Sequence, residues 1–177
     1  EWHMYDTVKG SDYLADQNAT EILAQEAPNP IYTLEHLGVP FSRNAEGKIE
    51  QRRFGGHTKN FGEAPIKRAC YVSDRTGRAI MDTLYDRCLQ KGVTMHNEVF
   101  IQHLLFALNN CCGAAGYDIA TGTPQVFHAR AVVLATGGCG KIYKTTSNGY
   151  ASTGDGFALA LDALLPLEDM EFVQFHP

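Results

Sequence analysis

The chain has 177 residues, 44% hydrophobic and 20% charged, with 17 Gly and 7 Pro; at roughly 150 residues per domain it is one domain or parts of two, and its composition excludes disordered and fibrous classes. Fifteen Lys+Arg against 20 Asp+Glu give a net charge of −5, and no basic run interleaved with aromatics is present to follow a phosphate backbone, so no nucleic-acid partner is expected. The longest apolar stretches, such as 129–135, carry an Arg and are far shorter than the ~20 residues that span a bilayer, so no direct membrane insertion is expected.

No targeting segment is read at Glu1-Trp2-His3, which suits a processed terminus or a piece of something longer, and the apolar, strand-like run from Glu171 to Pro177 stops with no polar tail, the pattern expected of a cut from a longer protein. Five cysteines, Cys70, Cys88, Cys111, Cys112 and Cys139, are odd in number and lack C-x-x-C spacing. They predict mostly buried thiols in a reducing compartment and no metal site. A Cys111–Cys112 bridge would need local backbone strain.

In chain order, residues 6–37 predict two or three short helices. Asp16 can cap one carrying Ile22 and Leu23, Pro28 and Pro30 break it, and Ile31, Leu34 and Leu37 resume the period until Gly38. Residues 39–74 show little periodicity and read as a loop, a kind of segment that is often functional. The clearest helix is 75–91, with Asp74 or Thr76 as N-cap, Ile80, Met81, Leu84, Tyr85, Cys88 and Leu89 on its apolar positions, and Gly92 as its stop. Its charged side, 82–87, reads as solvated surface.

Strands are predicted over 93–106, 117–120 and 125–134, within a strand region 93–134. Turns at Gly113-Ala114-Ala115-Gly116 and Thr121-Gly122-Thr123-Pro124 join them into an antiparallel hairpin. Residues 131–135 are apolar on consecutive positions, as in a strand covered on both faces, so a parallel sheet is expected there. A helix over 157–164 and a strand-like 167–175 follow.

Four places carry chemistry-bearing residues. Thr136-Gly137-Gly138 after an apolar run suits a backbone passing close to a flat or phosphorylated ligand, although taken alone it reads as a turn. Asp155, between Gly154 and Gly156, is either a helix cap or a carboxylate accepting ligand hydroxyls. Phe54-Gly55-Gly56, flanked by Arg52, Arg53, Lys59, Lys67 and Arg68, is either a solvated basic loop or a mobile lid over an anionic substrate. His176, between Phe175 and Pro177, lies at a predicted strand end, where α/β proteins hold ligands, although a lone histidine is more often a satisfied core residue.

Together these strings resemble a known family. His3-Met4-Tyr5-Asp6-Thr7-Val8-Lys9-Gly10-Ser11-Asp12-Tyr13-Leu14-Ala15-Asp16-Gln17, Pro40-Phe41-Ser42-Arg43, Gln51-Arg52-Arg53-Phe54-Gly55-Gly56, Asp74-Arg75-Thr76-Gly77, Ala135-Thr136-Gly137-Gly138, Ser152-Thr153-Gly154-Asp155-Gly156 and Gln174-Phe175-His176-Pro177 are similar, in order and spacing, to the flavoprotein subunits of the succinate dehydrogenase/fumarate reductase family. The first string sets them apart from L-aspartate oxidase and inclines the resemblance to the dehydrogenases.

The resemblance implies an α/β fold with α+β elements. Residues 1–173 would be the central part of a Rossmann-like FAD-binding domain with an antiparallel hairpin, and 174–177 the start of the connection to a capping domain. It implies FAD as cofactor and succinate or fumarate as substrate, with hydride transfer from succinate to the flavin. Electrons would pass to an iron–sulfur subunit, and membrane-anchor subunits would hold the complex peripherally on the inner membrane, at the cytoplasmic face in bacteria or the matrix face in mitochondria. Carried over residue by residue, Ala135, Thr136, Gly137, Gly138, Asp155 and, more softly, Ile101 match cofactor-binding positions, and His176 and Phe54 match substrate-binding ones. The G-x-G-x-x-G fingerprint, the histidine that takes FAD covalently, the arginine base and further substrate residues would lie outside residues 1–177, leaving no catalytic residue within them and the isolated segment inactive. Leu164, where relatives commonly place a helix-ending Gly, and Asn148-Gly149-Tyr150 depart from the family pattern. A fumarate reductase, or a non-catalytic module on the same scaffold, is the alternative.

Overall fold

The computed structural model describes residues 1–174; His176 lies outside the described residues. The chain divides into two compact units, Glu1–Thr94 and Met95–Pro177. The fold mixes helices with antiparallel sheets.

In the first unit, three helices α1 (Trp2–Gly10), α2 (Gln17–Glu26) and α3 (Pro28–Leu37) precede a hairpin of β1 (Gln51–Lys59) and β2 (Ala64–Cys70), and α4 (Thr76–Gln90) follows. Asp16 caps α2 as predicted, its side chain accepting from the backbone N–H groups of Asn18 and Ala19. Pro28 opens α3 rather than ending a helix, because the first turn needs no N–H from it. Gly38 closes α3 in the left-handed region, with the N–H of Val39 reaching back to the carbonyl of Leu34.

The core of this unit forms where the chain leaves α3. Val39 and Phe41 flank a tight turn at Pro40, in which the N–H of Phe41 donates to the carbonyl of Val39 at 2.9 Å, and both pack with Val72. Ile31 and Leu34 from α3 and Ala79 and Ile80 from α4 close over them. The N–H of Ser42 donates to the carbonyl of Tyr71 at 2.9 Å, tying the chain after α3 to the chain after β2.

Three readings of this unit need correction. Residues 39–74 are not a loop: β1 and β2 pair antiparallel, and the ladder escaped notice because β1 is exposed on most positions and shows no alternation. Neither Asp74 nor Thr76 is the N-cap of α4. Arg75 stands there without a side-chain cap bond, and the Thr76 hydroxyl instead accepts from the N–H of Val72. The charged side of α4 is also more than surface, since Arg87 Nε donates to the carbonyl of Leu37 at 2.8 Å.

The second unit holds an antiparallel sheet of β3 (Val99–Ala107), β4 (Asn110–Asp118) and β5 (Pro124–His128), in that order, and the helix α5 (Asp155–Asp162), which packs against β3. Gly113-Ala114-Ala115-Gly116 is not a turn but the middle of β4. The reversal lies at Leu108-Asn109, both at positive φ (48° and 66°), the twist that two-residue hairpins require. A Cβ on Gly116 would overlap the carbonyl of Phe100 on β3, so the glycine serves strand approach rather than reversal.

Residues 131–135 form no strand and no parallel ladder, and both sheets among the described residues are antiparallel. Val133 is 86% exposed. An apolar run becomes a strand only where a neighbour takes its backbone hydrogen bonds. Nor are 167–174 a strand. The cysteines are free and half-buried rather than buried. Among the described residues, no helix is long and apolar enough to cross a membrane.

Phe41 is 4% exposed where α3, α4 and Val72 meet. Phe41→Ala is expected to destabilise the first unit by about 3 kcal/mol, read as an earlier thermal transition of the protein carrying this segment. A change within the range of surface substitutions, about 0.5 kcal/mol, would contradict that packing.

Candidate functional site

The two glycine motifs that the sequence singles out meet in the second unit. The Thr136 side chain lies against Gly156, where any Cβ would overlap it. A Cβ on Gly154 would stand 3.0 Å from that of Cys139. The N–H of Lys141 donates to the carbonyl of Ser152 at 2.8 Å and joins the two segments. Ala135, Thr136, Gly137 and Gly138 are exposed, and the Cβ positions of both Gly137 and Gly138 face open space. A flat or phosphorylated group can therefore come against bare backbone here.

Asp155 is the first residue of α5, with Gly154 as N-cap in the left-handed region. Its carboxylate is exposed and accepts the Thr153 hydroxyl. The N-terminal turn favours a negative charge at this point, and a carboxylate with free oxygen lone pairs can take ligand hydroxyls as well. Asp155 is therefore not the helix cap, since Gly154 holds that position and no side-chain cap bond forms; the reading that stays open is a carboxylate available to ligand hydroxyls. Ile101, paired with Gly116 in the sheet, lines an apolar groove with Val99, Ala114, Phe127 and Val132. This surface and the paired glycine motifs fit an extended cofactor with a flat ring and a polar chain.

Phe54 lies in the first unit, on β1, with its ring 62% exposed. Behind it sits a polar cluster that sequence reasoning missed. Asp6 of α1, whose side chain is 8% exposed, accepts the N–H of Thr58 at 2.7 Å, the Thr58 hydroxyl and the Arg68 guanidinium. Arg68 is thus a half-buried ion-pair partner and not part of a solvated basic loop. The residues involved are 52 and 62 positions apart, and no local pattern reports such a contact.

Burial would raise the Asp6 carboxyl, but the hydrogen bonds from Arg68 and Thr58 outweigh it and hold it below the usual carboxylate value. Burial first, and then the Arg68 charge, hold His57 below the ordinary histidine value. His3 is lowered by burial, by Arg68 and by His57 in that order. His57 Nδ1 and Arg68 Nε are buried without a hydrogen-bond partner among the described residues.

A family model described as "FAD binding domain" matches residues 1–177. The chain belongs to this family. FAD is the family's cofactor, and the bare backbone at Gly137-Gly138 with the carboxylate of Asp155 fits it. The chain is 48% identical to the succinate dehydrogenase flavoprotein subunit of Coxiella burnetii, over 99% of its own length and 30% of that protein. It is 42% identical to the fumarate reductase flavoprotein subunit of Mycobacterium tuberculosis, over 99% and 29%. Among solved structures, a quinol-fumarate reductase with menaquinol molecules superposes with a TM-score of 0.89 at 36% identity, covering 99% of this chain and 30% of that one. The chain thus spans about 30% of the length of the curated relatives it matches. Its likeness to succinate dehydrogenase flavoproteins extends over nearly the whole segment.

Gly156→Ala inserts a methyl group where Thr136 sits, an overpacking that costs about 1–3 kcal/mol. The expected outcome is flavin loss from the purified full-length protein, read from absorbance. Retention equal to wild type would show that the two motifs need not touch.

Stability should also depend on pH. His3 and His57 have lowered folded values, so their neutral forms are favoured in the folded chain. Their contribution is whole above about pH 6.5 and is lost as pH falls through the folded values. Asp6, also lowered, contributes fully above about pH 4 and loses its share only below that. The thermal transition is expected to fall as pH drops below about 6.5, and His57→Gln to make that fall shallower. An unchanged slope would contradict the placement of His57.

Proposed function

We propose that this chain is part of the flavoprotein subunit of a succinate dehydrogenase, which oxidises succinate to fumarate and passes electrons through an iron–sulfur subunit to quinone. The observation that carries this reading is the 48–50% identity to succinate dehydrogenase flavoproteins over 99% of the chain. The complex would be peripheral on the inner membrane, held there by partner subunits. Residues 1–173 would be the central part of the FAD-binding domain and 174–177 the connection to a capping domain.

FAD, when bound, supplies the hydride acceptor. In this reading the backbone of Ala135-Thr136-Gly137-Gly138 lies along the cofactor, Asp155 accepts its hydroxyls and Ile101 lies near its adenine. Phe54 packs against the dicarboxylate and His176 hydrogen-bonds one of its carboxylates, so that binding orients the reacting C–H bond. The arginine base, the histidine that carries FAD covalently and the pyrophosphate fingerprint belong to parts of the protein outside these residues.

A fumarate reductase is the second reading, favoured by the 42% identical relative and by the superposition at a TM-score of 0.89. The ratio of succinate oxidation to fumarate reduction by the whole complex separates the two.

His176→Ala in the full-length protein is expected to raise KM for succinate and lower turnover while FAD is retained. Unchanged kinetics would refute the assignment. The isolated 177-residue chain is expected to give no succinate-dependent dye reduction, and detectable reduction would show that the base lies within it.

A further inference from the structure

Phe54-Gly55-Gly56-His57 stands outside the β1–β2 ladder. Between the pairs Arg53–Lys67 and Thr58–Pro65, β1 carries residues 54–57 whereas β2 carries only Ile66, so the four residues bulge from the hairpin. The first three residues of the bulge are exposed, and only His57 is half-buried. The Cβ positions of Gly55 and Gly56 meet no atom within 4 Å, and Gly56 turns at φ +78°. Phe54 has a neighbouring aromatic ring in His57, with centroids 5.8 Å apart, and is otherwise 62% exposed.

The flanks are held from outside. On the entry side, the Arg52 guanidinium lies over the Tyr71 ring, 5.1 Å from its centre. On the exit side, the Asp6 carboxylate takes both the N–H and the hydroxyl of Thr58 and binds Arg68 across the hairpin. Tyr5, next to Asp6 on α1, meets Phe61 edge-on in the hairpin turn, with centroids 5.5 Å apart. The grip falls on the residue directly after His57. A buried carboxylate bound by three donors is hard to displace, because any donor lost leaves charge uncompensated away from water. A glycine-rich bulge between fixed flanks has fewer conformations than one between free flanks.

We propose that Asp6 is a positioning residue for substrate binding: by locking Thr58 and Arg68 it fixes the bulge that presents Phe54 to the dicarboxylate. The inference rests on the reading of Phe54 as a substrate contact. Asp6 itself reaches no substrate and acts through Thr58 and His57 on the aromatic ring.

The test uses the full-length flavoprotein in its assembled complex, with KM for succinate, the inhibition constant of malonate, kcat and flavin content as readouts. Asp6→Asn and Thr58→Val are expected to raise KM and the malonate constant together, by about tenfold, with flavin content unchanged. Thr58→Val keeps the Asp6–Arg68 pair and covers the case in which Asp6→Asn fails to assemble. Thr58→Ser, which keeps the hydroxyl, is expected to behave as wild type. In a Phe54→Ala background, Asp6→Asn or Thr58→Val should add no further loss, since each acts through the ring that is gone. Phe54→Ala that raises KM while Asp6→Asn and Thr58→Val leave it unchanged overturns the positioning role, as does a fully additive double variant, which would mark a general loss of stability. Phe54→Ala with unchanged KM overturns the reading of Phe54, and the positioning role with it.

Discussion

A carboxylate taken out of water must be neutralised and hydrogen-bonded, and the first unit is arranged around one such group. The Asp6 side chain is 8% exposed, and α1 contributes it to a hairpin that has little apolar burial of its own. A charge left unpaired there would cost several kcal/mol, more than most single apolar contacts in this unit can return. Breaking the pair is therefore costly, and the relation of α1 to the hairpin is held by that cost. The apolar core of Val39, Phe41 and Val72 does a separate job, joining α3 and α4.

The second unit is governed by a different requirement, close approach of backbone to backbone. Gly116 lets β4 lie against β3, and Gly156 lets α5 start against Thr136. Removing side chains at such points brings elements together and also leaves backbone N–H and C=O groups uncovered nearby. At Gly137-Gly138 the same property faces open space, which suits a surface built to receive a flat cofactor rather than one built to close on itself. Leu164, just past the C-cap of α5, adopts φ +57°, a left-handed turn made without the residue that adopts it most easily.

Legibility followed the range of the interactions. Asp16 as cap, Gly38 as stop and the span of α4 were readable because each depends on residues within a turn or two. The β1–β2 hairpin was not, since its bulge and exposure erase the alternation that marks a strand. Gly113 and Gly116 misled for a related reason: glycine marks both turns and tight strand pairing, and local sequence does not separate the two. The residues 131–135 look like a buried strand by composition, but pairing is a property of neighbours, and the described residues supply no ladder there.

By itself, the sequence determined the family, because that rests on the order and spacing of short strings such as Ser152-Thr153-Gly154-Asp155-Gly156, which survive without coordinates. It also determined the residues at which a backbone can be approached closely, since only glycine permits this. The tertiary structure alone decided that Thr136 packs on Gly156, that Phe54 sits on a bulge, and that Asp6 meets Thr58 and Arg68. These contacts join residues far apart in the chain, and chain closure over such distances is set by the fold as a whole rather than by any local preference.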